Sequence, residues 1–66
     1  MKTDIRYVIR CKSTGTYNGP IGKPVTELKH AALFLADQVV QYSDVMQSNF
    51  EFVEIAINDG VRTVKA

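Results

Sequence analysis

The chain has one cysteine, one histidine and two prolines, and its longest apolar run, AALFLA at 31–36, is short. Each shortage excludes something. A single cysteine, Cys11, closes no internal disulfide and builds no thiolate metal cage, which fits a reducing compartment. A lone histidine, His30, needs partners before it acts as a base or ligand. Its nearest acidic neighbour on the same helical face, Asp37, is two turns away and out of chelating range. The apolar run falls far short of the roughly 20 residues that span a bilayer. The opening MKTDIRYVIR alternates charge and bulk, unlike a signal peptide. No repeat or low-complexity segment is visible. Residues 30–59 hold five acidic side chains and no lysine or arginine.

What is present points to one small domain spanning 1–66. A chain this short buries only roughly 60% of its unfolded surface, so its core is thin. The apolar fraction of 45% and charged fraction of 23% are those of a globular protein. Net charge is +1, but it is sorted. Residues 1–29 carry six basic and two acidic side chains, which sets a basic first half against the acidic segment that follows. Sorting of this kind steers partners.

DIRYVIRC at 4–11 has period two and reads as a half-buried strand. Ile5, Tyr7, Ile9 and Cys11 form the expected core face, with Cys11 as a buried thiol. Asp4, Arg6, Val8 and Arg10 form the outer face. A short strand near Thr16–Tyr17 returns antiparallel and ends at Asn18-Gly19-Pro20. Pro24 bars helix before it, Thr26 is suited to cap one, and Glu27 favours its first turn. Leu28, Ala32, Leu35, Val39, Tyr42 and Met46 then make one apolar stripe, predicting a helix to about Gln47, about 30 Å long. FEFVEIAI at 50–57 is apolar on both faces and reads as a central strand. Asp59-Gly60 is a two-residue hairpin signal leading into VRTVK. The expected fold is α+β: a small antiparallel sheet, β-β-α-β-β, with one long helix on one face.

Catalytic motifs are missing. Gly22-Lys23 matches the end of a phosphate-binding loop, but Tyr17 stands where the first glycine belongs and Pro24 where the hydroxyl belongs. Lys23 retains only a role in gripping an anion or acidic partner. No Ser/His/Asp set, paired carboxylates or metal spacing occurs, so the expectation is a non-enzyme without cofactor or metal.

Two surfaces invite partners. The predicted helix is more apolar than one sheet requires. Leu33, Ala36 and Val40 make a second stripe, and Phe34 and Val45 lie on the other flank. Either the helix breaks near Leu33–Phe34, or its second side is covered by a homodimer partner or another protein. Leu33, Phe34, Ala36 and Val40, with Asp37 and Asp44 of the polar strip, are the candidate contacts. The alternative is nucleic-acid binding through a basic sheet face of Arg6, Arg10, Arg62 and Lys65. Tyr7, the aromatic of the first strand, lies on the opposite face.

Tyr7-Val8-Ile9-Arg10, Thr14-Gly15-Thr16-Tyr17 and Ala31-Ala32-Leu33-Phe34 resemble the strand, turn and helix motifs of small phage-encoded proteins. Some of these, including certain anti-CRISPR proteins, block a host complex by binding it. The resemblance spans most of the chain. It implies a stoichiometric inhibitor or accessory protein that acts on a host protein complex in the host cytoplasm, without a membrane. It assigns no site residue.

Overall fold

A computed structural model describes residues 3–43, 46 and 48–65. Among them are five strands: β1 Asp4–Cys11, β2 Tyr17–Asn18, β3 Pro24–Val25, β4 Phe50–Asn58 and β5 Val61–Val64. A 3-10 turn, Leu28–His30, and one short helix, α1 Ala36–Tyr42, lie between β3 and β4. The sheet is antiparallel in the order β3-β2-β1-β4-β5. The fold is therefore α+β, with β4 near its centre as its two-faced apolarity predicts; β1 lies beside it, and β3 is a strand that the expected β-β-α-β-β order lacks. Asp59 and Gly60 both take positive φ, 51° and 79°, as the β4–β5 hairpin requires.

Residues paired across strands share a face. Asp4, Arg6, Val8 and Arg10 lie with Ile57, Ile55, Val53 and Glu51 on a first face. Ile5, Tyr7, Ile9 and Cys11 lie with Ala56, Glu54, Phe52 and Phe50 on a second. The innermost core sits on the first face. Val8 and Ile55 are 0% exposed there beneath Ala31, with Tyr17, Val25, Leu28, Val53 and Ile57 packed around them. This corrects the expected polarity of β1. Val8 does not face solvent, and Ile5, Tyr7, Ile9 and Cys11 are only half-buried. Arg6 and Arg10 flank the core on its own face. Arg62 shares that face and donates from Nη1 to the carbonyls of Leu28 (3.0 Å) and Ala31 (2.9 Å).

The long helix is also corrected. The chain over 31–35 is extended, and α1 has seven residues. Thr26 does not cap it; Leu35 stands at its start, where Gln38 Oε1 accepts the Leu35 N–H at 2.8 Å. The reason is the edge of β1. Two-residue β2 covers only the end of β1 near Arg10, and backbone groups further back need partners. Phe34 supplies them: its carbonyl accepts the Tyr7 N–H at 2.8 Å, and its own N–H donates to the Tyr7 carbonyl at 2.7 Å. A helix through Phe34 would leave that edge bare. The break near Leu33–Phe34 is thus the realised alternative. The Phe34 ring meets Phe52 edge-to-face, centroids 5.8 Å apart, on the second face. The predicted end at Gln47, and Val45, lie outside the described residues.

The burial difference has a direct consequence. Ile55→Ala is expected to lower stability by about 2–5 kcal/mol, the range for a truncated core aliphatic. Val61→Ala, at a site 63% exposed, should change it by less than about 0.5 kcal/mol. Urea denaturation of the two variants measures the contrast.

Candidate functional site

Two concave surfaces stand out, one on each face. On the second face, Ile9, Phe34, Tyr42, Met46 and Phe50 line an apolar cleft of about 280 Å³, with Asn18 as a polar member of its wall. It forms because α1 turns away from the strand-like segment at Phe34 and roofs only part of the sheet. Val40 is 75% exposed on α1. Ala36 lies one turn before it, and helical spacing puts both on one side. Leu33 and Leu35, 39% and 47% exposed, continue the apolar surface along the extended segment.

The six predicted contacts therefore do not form one helical flank. Leu33 and Phe34 belong to the extended segment; Ala36, Asp37 and Val40 belong to α1; Asp44 lies outside the described residues. Asp37 is exposed in the first turn, where its carboxylate accepts the Gln38 N–H at 3.1 Å. Sequence reasoning missed Leu35, Tyr42 and Met46 as surface groups because the long-helix periodicity assigned them to the core stripe. Phe50 and Ile9 could have been found from the two-faced apolarity of their strands.

The four predicted basic residues are not brought together either. Arg6, Arg10 and Arg62 share the first face, whereas Lys65 reaches Glu54 on the second, Nζ to Oε2 3.3 Å. Arg10 pairs with Glu51 at 3.7 Å, and Arg6 donates to the Ile5 carbonyl at 2.9 Å. A different basic group converges instead. Lys23, Lys29, His30 and Arg62 line a groove of about 630 Å³ between the β2–β3 turn and the 3-10 turn. Glu27 stands beside it, 3.5 Å from both Lys29 Nζ and His30 Nδ1. Lys23 and His30 were noticed separately in the sequence; nothing there signals their union with Lys29 and the distant Arg62.

Cys11 is half-buried at the end of β1, not enclosed as expected. The turn that follows, closed by Gly15 N–H to the Cys11 carbonyl at 2.8 Å, brings Ser13 Oγ to 3.2 Å from its sulfur. Hydrogen bonding from the Ser13 side chain, then from Thr14, lowers the thiol from 9.0 to about 7. Among the described residues no three His, Cys, Asp or Glu side chains cluster as a metal site. No described helix is long and apolar enough to cross a membrane.

Comparison with protein-family models, with curated proteins and with solved structures finds no match. The functional reading therefore rests on the geometry of these two surfaces.

The thiol makes a checkable statement. Alkylation of Cys11 by iodoacetamide should rise with pH to half its maximal rate near pH 7, and not near 9.0. Removing its largest stabilising partner with Ser13→Ala should move that midpoint upward.

Proposed function

We propose that this chain is a non-enzymatic protein-binding module that docks its partner on the apolar cleft and on the exposed side of α1. One observation carries the reading: an open apolar cleft is walled by Ile9, Phe34, Tyr42, Met46 and Phe50, and the helix that supplies Tyr42 also carries Val40, 75% exposed. An apolar concavity suits a partner that inserts one apolar anchor, and an exposed aliphatic residue on α1 extends the contact along the helix. Charge narrows the partner. Asp37 lies on α1 close to Val40 in sequence, and residues 30–59 hold five acidic side chains with no lysine or arginine. The matching surface is an apolar anchor flanked by lysine or arginine.

The resemblance to small phage-encoded proteins extends the proposal to a host protein complex as partner and to inhibition as the outcome, in the host cytoplasm. A second copy of this chain is the competing occupant, and solution mass separates the two. Nucleic acid on a sheet face is less favoured, because Arg10 and Lys65 are paired with carboxylates and lie on opposite faces.

The test uses exposed positions, so that folding is preserved. Val40→Asp should leave the circular dichroism spectrum unchanged and weaken capture of the partner at least about tenfold, the scale of a lost interface hot spot. A partner retained equally by wild type, Val40→Asp and Leu35→Asp would place the contact elsewhere. A wild-type dimer in light scattering that becomes monomeric in Val40→Asp would assign the cleft to a second copy.

A further inference from the structure

We propose that the basic groove on the first face is a binding site for a small phosphomonoester, separate from the docking surface on α1. Its volume, about 630 Å³, is within the roughly 300–1,000 Å³ of small-molecule sites. Arg62 anchors it. Both bonds that hold Arg62 in place leave from Nη1, to the Leu28 and Ala31 carbonyls. A guanidinium has five N–H donors in a rigid fork. Nε and Nη2 make no hydrogen bond to a described residue, and neither is sealed from solvent, since no fully buried side-chain nitrogen or oxygen among the described residues lacks a partner. A half-buried guanidinium, already fixed and with three of its five N–H groups bonded to no described residue, needs little reordering to grip an oxyanion.

The opposite wall is fixed as well. Gly19 N–H donates to the Lys23 carbonyl at 2.8 Å and closes the turn that carries Lys23. A Cβ at Gly19 would stand 2.7 Å from that oxygen and 3.0 Å from Val25 Cγ1, so the closure depends on glycine. Between the walls, Ile21, Pro24, Val25 and Ala31 give an apolar lining.

Charge and lining select the ligand. Lys23, Lys29 and Arg62 set against Glu27 leave a surplus of two positive charges, before any contribution from His30. A phosphomonoester carries about −1.5 to −2 at pH 7 and matches it, whereas a carboxylate neutralises half. The apolar lining adds a place for the organic part of an ester that a bare anion would not use. Among the described residues no Phe, Tyr or Trp ring lines the groove, and its one imidazole, His30, sits 3.5 Å from Glu27, so a nucleobase has no broad stacking platform and single-stranded nucleic acid is disfavoured.

Nitrogen–proton correlation spectra of the full chain, titrated with phenyl phosphate, inorganic phosphate, benzoate and a short oligothymidylate, test the site. Phenyl phosphate should shift Gly19, Gly22, Lys23, Ala31 and the Arg62 Nε–H, and should bind severalfold tighter than the other three probes. Lys23→Gln should weaken it about three- to tenfold, and Glu27→Gln should strengthen it by a similar factor. Asp37→Asn adds the same charge on α1, outside the groove, and should leave the affinity unchanged. Silence at those groove signals with millimolar phenyl phosphate overturns the proposal. So does equal gain from Glu27→Gln and Asp37→Asn, which would mark a general charge effect. Inorganic phosphate binding as tightly removes the ester, benzoate binding as tightly removes the phosphate preference, and tighter oligothymidylate assigns the groove to nucleic acid.

Discussion

The reciprocal pair of hydrogen bonds between Tyr7 and Phe34 decides how the connection between β3 and β4 is routed. β1 sits beside β4 along its whole length, but its other edge has only the two residues of β2 as regular cover. Pairing Phe34 with Tyr7 closes more of that edge and splits the connection. The part before Phe34 lies over the first face as the 3-10 turn and Ala31. The part after it becomes α1 and roofs the second face. A sheet covered on both sides results from a chain with a single short helix among the described residues.

This routing explains the distribution of burial. Ala31 and Leu28 seal Val8 and Ile55 on the first face, and Arg62 secures them by binding the carbonyls of those same two residues. The second face has Phe34 and a seven-residue helix to cover three aromatic positions and Ile9. That is too little, and the remaining apolar surface becomes the cleft between Ile9, Phe34 and Phe50. Both candidate sites therefore follow from one division of one connection. The thin cover of the second face yields the apolar cleft. The loop-built cover of the first yields the basic groove.

Four of the five strands were legible because their signal is local; β3, only two residues long, was not. β1 and β4 follow period two and length, and Asp59-Gly60 announces its turn with two residues. The helix was misread because Leu28, Ala32, Leu35, Val39, Tyr42 and Met46 do fall on one helical stripe. Periodicity cannot see that a distant strand edge at Tyr7 needs a backbone partner more than Phe34 needs a helical turn. The facing of β1 failed for a related reason. Val8 lies among arginines in sequence, and only the cover laid down by Leu28 and Ala31 shows that those arginines border a core. The groove was invisible because Arg62 is distant in sequence from Lys23 and Lys29, and the three meet only through the 3-10 turn.

The register of the central strands also sets the order in which the molecule can form. Asp4 pairs with Ile57 and Cys11 with Phe50, so the whole of residues 12–49 separates the first strand from its main partner. On a ribosome, β1 emerges before β4 and waits through synthesis of everything that covers it. The hairpins β2–β3 and β4–β5 close locally, but the middle of the sheet cannot, because the loop between its strands must be closed first. During that interval Tyr7, Val8 and Ile9 have no sheet partner on the β4 side. Arg6 and Arg10 bracket them, and charges in that position oppose pairing of the waiting strand with another copy of itself.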